Sequence, residues 1–323
     1  MRRRGWLAAL LTLLLLGVSG CAPQTLNPLV KNEATDVPGL AMNLHPASAD
    51  ETGAAQVKAT LYFRYLDEPM LACEDRTLTV PRDESEEYAI VRALLEGPSA
   101  GHSELRRLIP ADAQVESVTS RDDILFVTFN EGFLADEVPQ DWATIDAWRE
   151  EAPLMRRLTA QSLAASITEN FAYTGVQILI HRPGAVQTSL RLDSAYFLTG
   201  TNGLSEPIPR DESLLLSPIN TVETILAAWQ LHDLERLYRY LSDAGKPPFA
   251  TANEAFAGAP VLEAFTAVGG TVSEDGRSAT LSVSMRTLRG SASSQTLHYP
   301  VRLERENGVW KITYERLTSL MAR

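Results

Sequence analysis

Ala93-Leu94-Leu95-Glu96-Gly97-Pro98 is the end of a helix, and the fold is read outward from it. Upstream, Asp83, Glu84, Glu86 and Glu87 put negative charge where the first amide groups of a helix lack partners, and Tyr88, Val91, Leu94 and Leu95 line one apolar stripe. Gly97 and Pro98 then stop the helix, the one by backbone freedom and the other by its missing donor. Residues 60–66, Thr-Leu-Tyr-Phe-Arg-Tyr-Leu, form an aromatic-rich strand with little exposure, and 77–80 alternate as a short edge strand. Downstream, residues 113–119 and 124–129 read as an antiparallel hairpin around Ser120-Arg121-Asp122-Asp123. Residues 154–170 are helical, with Leu158 beside a row of Met155, Thr159, Leu163 and Ile167, and 176–180 close the block as a strand. This β-α-β-β-α-β order predicts an α/β sandwich with one sheet and both helices on one face.

With those elements in place, Leu61-Tyr62-Phe63, the Leu-Leu-x-Gly-Pro segment ending at Pro98, Ile109-Pro110, Val127-Thr128-Phe129-Asn130 and Val176-Gln177-Ile178 resemble the GerMN domain of sporulation and germination lipoproteins. The likeness spans residues 58–183. It implies a non-catalytic role in envelope assembly through protein contacts. The family's namesake carries two such domains in tandem, and the second half here reads differently, so the resemblance also allows an envelope role outside sporulation.

That second half opens at Pro218. Val222, Ile225, Leu226 and Trp229 form one helical stripe, and Leu234, Leu237, Tyr238 and Leu241 form another behind the N-cap Asp233. Leu281, Val283 and Met285 alternate with polar neighbours, as do Leu297, Tyr299, Val301 and Leu303, and Asn307-Gly308 turns the chain into Trp310, Ile312 and Tyr314. Helices followed by a curved antiparallel sheet resemble the NTF2-like superfamily, which implies a cone with a mouth able to hold a ligand. The expected fold class is α+β. The expected organisation is a signal peptide (1–20), a flexible tether (21–56), a GerMN-like domain (57–183), a connector (184–217) that packs in part on the first block and holds a short strand at 195–198, and an NTF2-like domain (218–323).

The N-terminus indicates where the protein resides. Arg2, Arg3 and Arg4 precede an apolar run shorter than the ~20 residues a spanning helix needs. Val18-Ser19-Gly20-Cys21 resembles a bacterial lipobox, implying that Cys21 carries lipid, a diacylglycerol thioether and palmitate-type acyl chains, and becomes the first residue. Ala22 follows, so nothing resembles the inner-membrane retention signal. A tether of ~35 residues spans on the order of 30–35 Å and lifts the folded part off the headgroups. The expected location is extracytoplasmic, on the outer face of the cell membrane.

Composition narrows the chemistry. The 323 residues are 45% hydrophobic and 22% charged, as in globular proteins of about two domains. The net charge of -12, or -15 without Arg2, Arg3 and Arg4, repels nucleic acid and anionic headgroups, so lipid rather than a basic patch must hold the chain at a membrane. Cys21 and Cys73 are the only cysteines; with Cys21 acylated no disulfide forms, and Cys73 reads as an apolar filler.

No catalytic residues, cofactor or metal are expected. His45, His102, His181, His232 and His298 show no ligand spacing. His232 is expected at a helix junction and His298 on the polar side of a strand. Gly97-Pro98-Ser99-Ala100-Gly101 spells Gly-x-Ser-x-Gly, but a helix precedes it where a nucleophile elbow needs a strand. Trp142 and Trp148, set among Asp136, Glu137, Asp141, Asp146, Glu150 and Glu151, are the candidate partner patch, as against a solvated face with half-buried tryptophans. The expected function is a non-catalytic scaffold or binding protein of the envelope, with envelope proteins or cell wall as partners. The alternatives are a cone around Trp229, Met285, Tyr299 and Trp310 that binds a small molecule or cell-wall fragment, and an enzyme using that cone.

Overall fold

The computed structural model describes residues 54–134, 145–184, 189–197 and 203–323, with only the backbone at 145–150. Strands β1 (Ala55–Tyr65) and β2 (Leu71–Val80) form a long hairpin, and Arg64 and Tyr65 of β1 pair with the two-residue β3 (Leu105–Arg106) on the other side. Helix α1 (Glu86–Glu96) starts at Ser85, whose hydroxyl accepts from the Tyr88 amide, and stops at Gly97 with φ +87°. A second sheet follows: β4 (Val115–Arg121) and β5 (Ile124–Phe129) are antiparallel, and helix α2 (Ile145–Asn170) crosses over to β6 (Gly175–His181), which runs parallel to β5. Strand β7 (Ser189–Arg191) edges this sheet.

The single sheet expected from the pattern is therefore two, ordered β2-β1-β3 and β4-β5-β6-β7. The cause lies in α2, which packs on both β1 and β6 and is buried without interruption from Leu158 to Ile167. A helix with core on every side has no solvent face. Its small residues let it approach closely enough to replace a strand. The Ser166 hydroxyl accepts from the Tyr62 amide at 2.9 Å, Ser162 donates to the Tyr62 carbonyl at 2.5 Å, and Asn170 bonds the Thr60 amide at 3.0 Å and carbonyl at 2.8 Å. These residues, four apart, satisfy the edge of β1 that β3 leaves open. Helix α2 also begins nine residues before the expected start at Leu154 and contains Pro153.

The C-terminal half comprises α3 (Pro218–Gln230), α4 (Leu234–Arg239), α5 (Phe249–Ala257), the antiparallel meander β8 (Val261–Val272), β9 (Ser278–Arg289), β10 (Ala292–Glu306) and β11 (Val309–Lys311), and α6 (Tyr314–Met321). The α3 stripe is buried as expected and Asp233 caps α4. Three elements differ from the sequence pattern. Helix α5 and strand β8 are additional, and Tyr314 begins a helix capped by Thr313 rather than ending a strand. In β10 a bulge between Thr296 and Tyr299, with His298 at φ +52°, takes Leu297 out of the alternation and leaves it exposed.

The connector packs as expected, pairing at Ile208 with Val176 and at Leu215 with Leu71. Its anticipated strand at 195–198 is instead a 3-10 turn, Ser194–Phe197, that buries Phe197. One apolar cluster runs from Leu61 and Val127 through Ile167 to Trp229, Val283 and Leu317, so Pro218 marks no break in the core.

Candidate functional site

Among the described residues, buried Glu68 and Lys311 each meet an opposite charge across the seam between the two halves. The β1–β2 loop is a tight turn, Leu66 at φ +47° and the Tyr65 amide bonded to the Met70 carbonyl at 3.0 Å. Arg64 braces it from within, donating to the Glu68 carbonyl at 2.9 Å, the Asp67 carbonyl at 2.7 Å and the Glu151 carboxylate at 2.5 Å. Glu68, 4% exposed, thus points at α4, where Arg236 Nε donates to both its oxygens at 2.9 and 3.0 Å and Nη2 adds a further bond. These bonds raise the Arg236 pKa, so its guanidinium stays charged. Asp67 pairs with Arg239, and the Tyr65 hydroxyl donates to the Arg239 carbonyl at 3.1 Å. Burial pushes the phenols of Tyr65 and Tyr240 well above their usual range.

Two more contacts fasten the seam. Lys311, 2% exposed, donates to both Glu104 oxygens at 2.8 and 2.7 Å. The Asn307-Gly308 turn rests on β2: Cys73 donates to the Gly308 carbonyl at 3.4 Å, and Arg305 donates to Cys73 Sγ at 2.7 Å. A Cβ on Gly308, whose φ is +83°, would lie 1.7 Å from the Cys73 carbonyl. Glycine is needed there both for the turn and for the close approach. Burial raises the Cys73 thiol pKa, which suits a packed thiol and not a nucleophile.

Beside the Glu68–Arg236 pair lies an open cleft of about 340 Å³. Asn220, Glu223, Thr224 and Ala227, one stripe of α3, form its floor, and Met70, Arg236 and Phe265 wall it from the β1–β2 loop, α4 and β8.

The residues singled out from sequence fare differently. Cys21 and Trp142, with Asp136, Glu137 and Asp141, lie outside the described residues; Trp148 falls in α2, where only the backbone is described. Glu151 of that acidic group holds Arg64. Trp229, Met285 and Trp310 are core residues, Trp229 donating to the Pro260 carbonyl at 2.9 Å, and Tyr299 is half-buried with Arg323 5.1 Å above its ring. Packed this way, the first three fill the interior they were expected to line. His232, at φ +57°, sits at the α3–α4 junction as anticipated.

Ser99 does meet a histidine: its hydroxyl is 2.9 Å from His102 Nδ1. The buried Glu74 lies 3.9 Å from that same nitrogen, so hydroxyl and carboxylate do not flank the ring as a proton relay requires. Glu74 is instead held by Arg76 at 2.7 and 2.9 Å and by the Ser99 amide at 3.0 Å. Burial pushes its carboxyl up, and these bonds outweigh burial, leaving it below the usual carboxylate range. The cluster secures the loop after α1. The seam itself was missed from sequence, because Arg64, Glu68 and Arg236 are unremarkable until folding brings them together.

Comparison with known proteins agrees with the first half. Residues 60–181 match the Germane family model, described as sporulation and spore germination, within the span expected from the motifs. Among solved structures, the chain is similar to the tandem GerMN domains of the sporulation protein GerM from Bacillus subtilis, at 16% identity and TM-score 0.32 over 52% of this chain and 49% of that one. It thus spans about half the length of that protein. It is also similar to a Clostridium perfringens protein provisionally described as a lipoprotein, at 21% identity and TM-score 0.24 over 41% of this chain and 80% of that one. No curated protein matches.

Proposed function

We propose that this chain, which carries a Germane domain over residues 60–181, is a lipid-anchored envelope protein that presents a rigid two-part body outside the membrane and binds other envelope components without catalysis. The observation that carries the reading is the seam. Buried ion pairs and a shared core make the Germane domain and the helix-meander half one body, with an open cleft where they meet. Such a body suits holding partners at fixed spacing, because relative motion of its halves would expose buried charge. The family description favours sporulation or germination as the setting, and the single Germane segment also suits another envelope assembly.

The sequence Leu16–Cys21 supports anchoring through Cys21, and among the described residues no helix is long and apolar enough to cross a membrane. Ligand binding within a C-terminal cone is the weaker reading, since Trp229, Met285 and Trp310 occupy its interior. The test is metabolic labelling with an alkyne fatty acid, followed by fractionation and cross-linking with mass spectrometry. Label on the membrane-bound chain, lost in Cys21→Ser, and cross-links to envelope proteins are expected. Unlabelled chain in the cytosol, with its first 20 residues intact, overturns the reading.

A further inference from the structure

Strand β8 is an edge of the C-terminal sheet and borders the cleft at Phe265. Residues 264–273, Ala-Phe-Thr-Ala-Val-Gly-Gly-Thr-Val-Ser, carry no charge, and Val268 is 55% exposed. Among the described residues, the backbone of Ala264–Val268 bonds only to β9. At the preceding position the edge is closed, since Gln230 of α3 donates to the Glu263 carbonyl at 2.9 Å. Uncharged edge strands with unpaired backbone groups are templates for strand addition.

The shape and charge of this edge select its occupant. Irregular pairing between Leu262 and Ala264, and again between Val268 and Thr271, brackets a short regular run, Ala264–Val268. Bulges twist an edge away from long sheet-to-sheet pairing, so a second copy of this chain fits poorly and a short extended segment fits well. In the cleft below, Arg236 is already neutralised by Glu68, whereas Glu223 is exposed and has no ionic partner among the described residues. The unopposed charge is negative, on a chain of net charge -12.

We propose that β8 and the adjoining cleft bind an extended basic segment of a protein partner as an added strand, with a lysine or arginine of that segment against Glu223. The added backbone pairs with Ala264–Val268, and alternate side chains reach the apolar surface of Met70, Ala227 and Phe265. The proposal rests on the envelope-binding reading and supplies its partner class.

The probe is a labelled eight-residue synthetic peptide alternating valine and lysine, titrated by fluorescence anisotropy into the full chain in detergent. Binding is expected, with slowed hydrogen exchange at the Ala264–Val268 amides. Weakening of at least tenfold is expected for Glu223→Lys, for Ala227→Trp, which fills the cleft, and for a peptide N-methylated at every second residue, which cannot pair as a strand. The methylated peptide acts on the unaltered protein, so the test survives a variant that fails to fold. Equal affinity for the methylated peptide, unchanged exchange in β8, or absence of binding overturns the proposal, as does self-association through β8 in place of peptide binding. Fatty-acid labelling of Cys21 and cross-linking of the wild type are read separately, so failure here is distinguishable from failure of the envelope reading.

Discussion

Replacing Ser166 with alanine tests whether a helix can stand in for a strand. Ser166 is fully buried, and its hydroxyl is the acceptor for the buried Tyr62 amide at 2.9 Å. Alanine leaves that amide without a partner, which costs about 1–3 kcal/mol. Alanine is also the better helix former, by about 0.5 kcal/mol, which offsets part of the loss. The net expectation is destabilisation of roughly 0.5–2.5 kcal/mol, or on the order of 1–10 °C in Tm for a body of this size. Thr168→Ala is the internal control. Its hydroxyl bonds only carbonyls of its own helix, Ala164 at 2.8 Å and Ala165 at 3.4 Å, so removing it strands no donor. Thermal unfolding of the two variants beside wild type, with hydrogen exchange at the Tyr62 amide, decides the matter. If Ser166→Ala matches Thr168→Ala in Tm and Tyr62 exchanges no faster, the side chains of α2 do not complete the β1 edge.

The seam and the loop after α1 yield further expectations. Glu68→Ala leaves the half-buried Arg236 without its carboxylate and should cost about 1–3 kcal/mol in denaturant unfolding; a loss below about 0.5 kcal/mol would mean that the pair does not join the halves. Gly308→Ala combines a left-handed φ of +83° with a 1.7 Å approach to the Cys73 carbonyl, whereas Gly290, at φ +62°, has open space around it. Gly308→Ala should therefore lower Tm clearly more than Gly290→Ala, which incurs only the backbone strain of about 1–2 kcal/mol. Because the folded-state pKa of Glu74 is depressed, its contribution to stability is present above the ordinary glutamate pKa of about 4.3 and is lost as pH falls through the folded value. Glu74→Gln should flatten that acid limb of the stability curve, and an unchanged limb would remove Glu74 as its source. Cys73, buried against Arg305, should resist iodoacetamide until denaturant opens the seam, as read by intact mass.

The segment that matches the Germane model, and the turn at Asn307-Gly308 beyond it, were readable along the chain because their signals are local. Helix α1 lies between the Ser85 cap and Gly97, the β4–β5 hairpin turns where Asp122 takes φ +55°, and the Asn307-Gly308 turn has φ of +49° and +83°. Each depends on residues a few positions apart, so periodicity and turn chemistry suffice. Helix α5 and strand β8 escaped that reading: α5 has no side-chain cap, and β8 breaks its own alternation with two irregularities. Neither the split into two sheets nor the seam follows from any local pattern. Ser162, Ser166 and Asn170 read as weak helix positions until β1 lies beside them, some hundred residues away in sequence. Glu68 and Arg236 are 168 positions apart, and each is an ordinary surface charge until folding buries the carboxylate against the half-buried guanidinium. Local patterning thus specifies the elements, and long-range burial, which acts only between segments already brought together, assigns their polar residues to edge, seam or cleft.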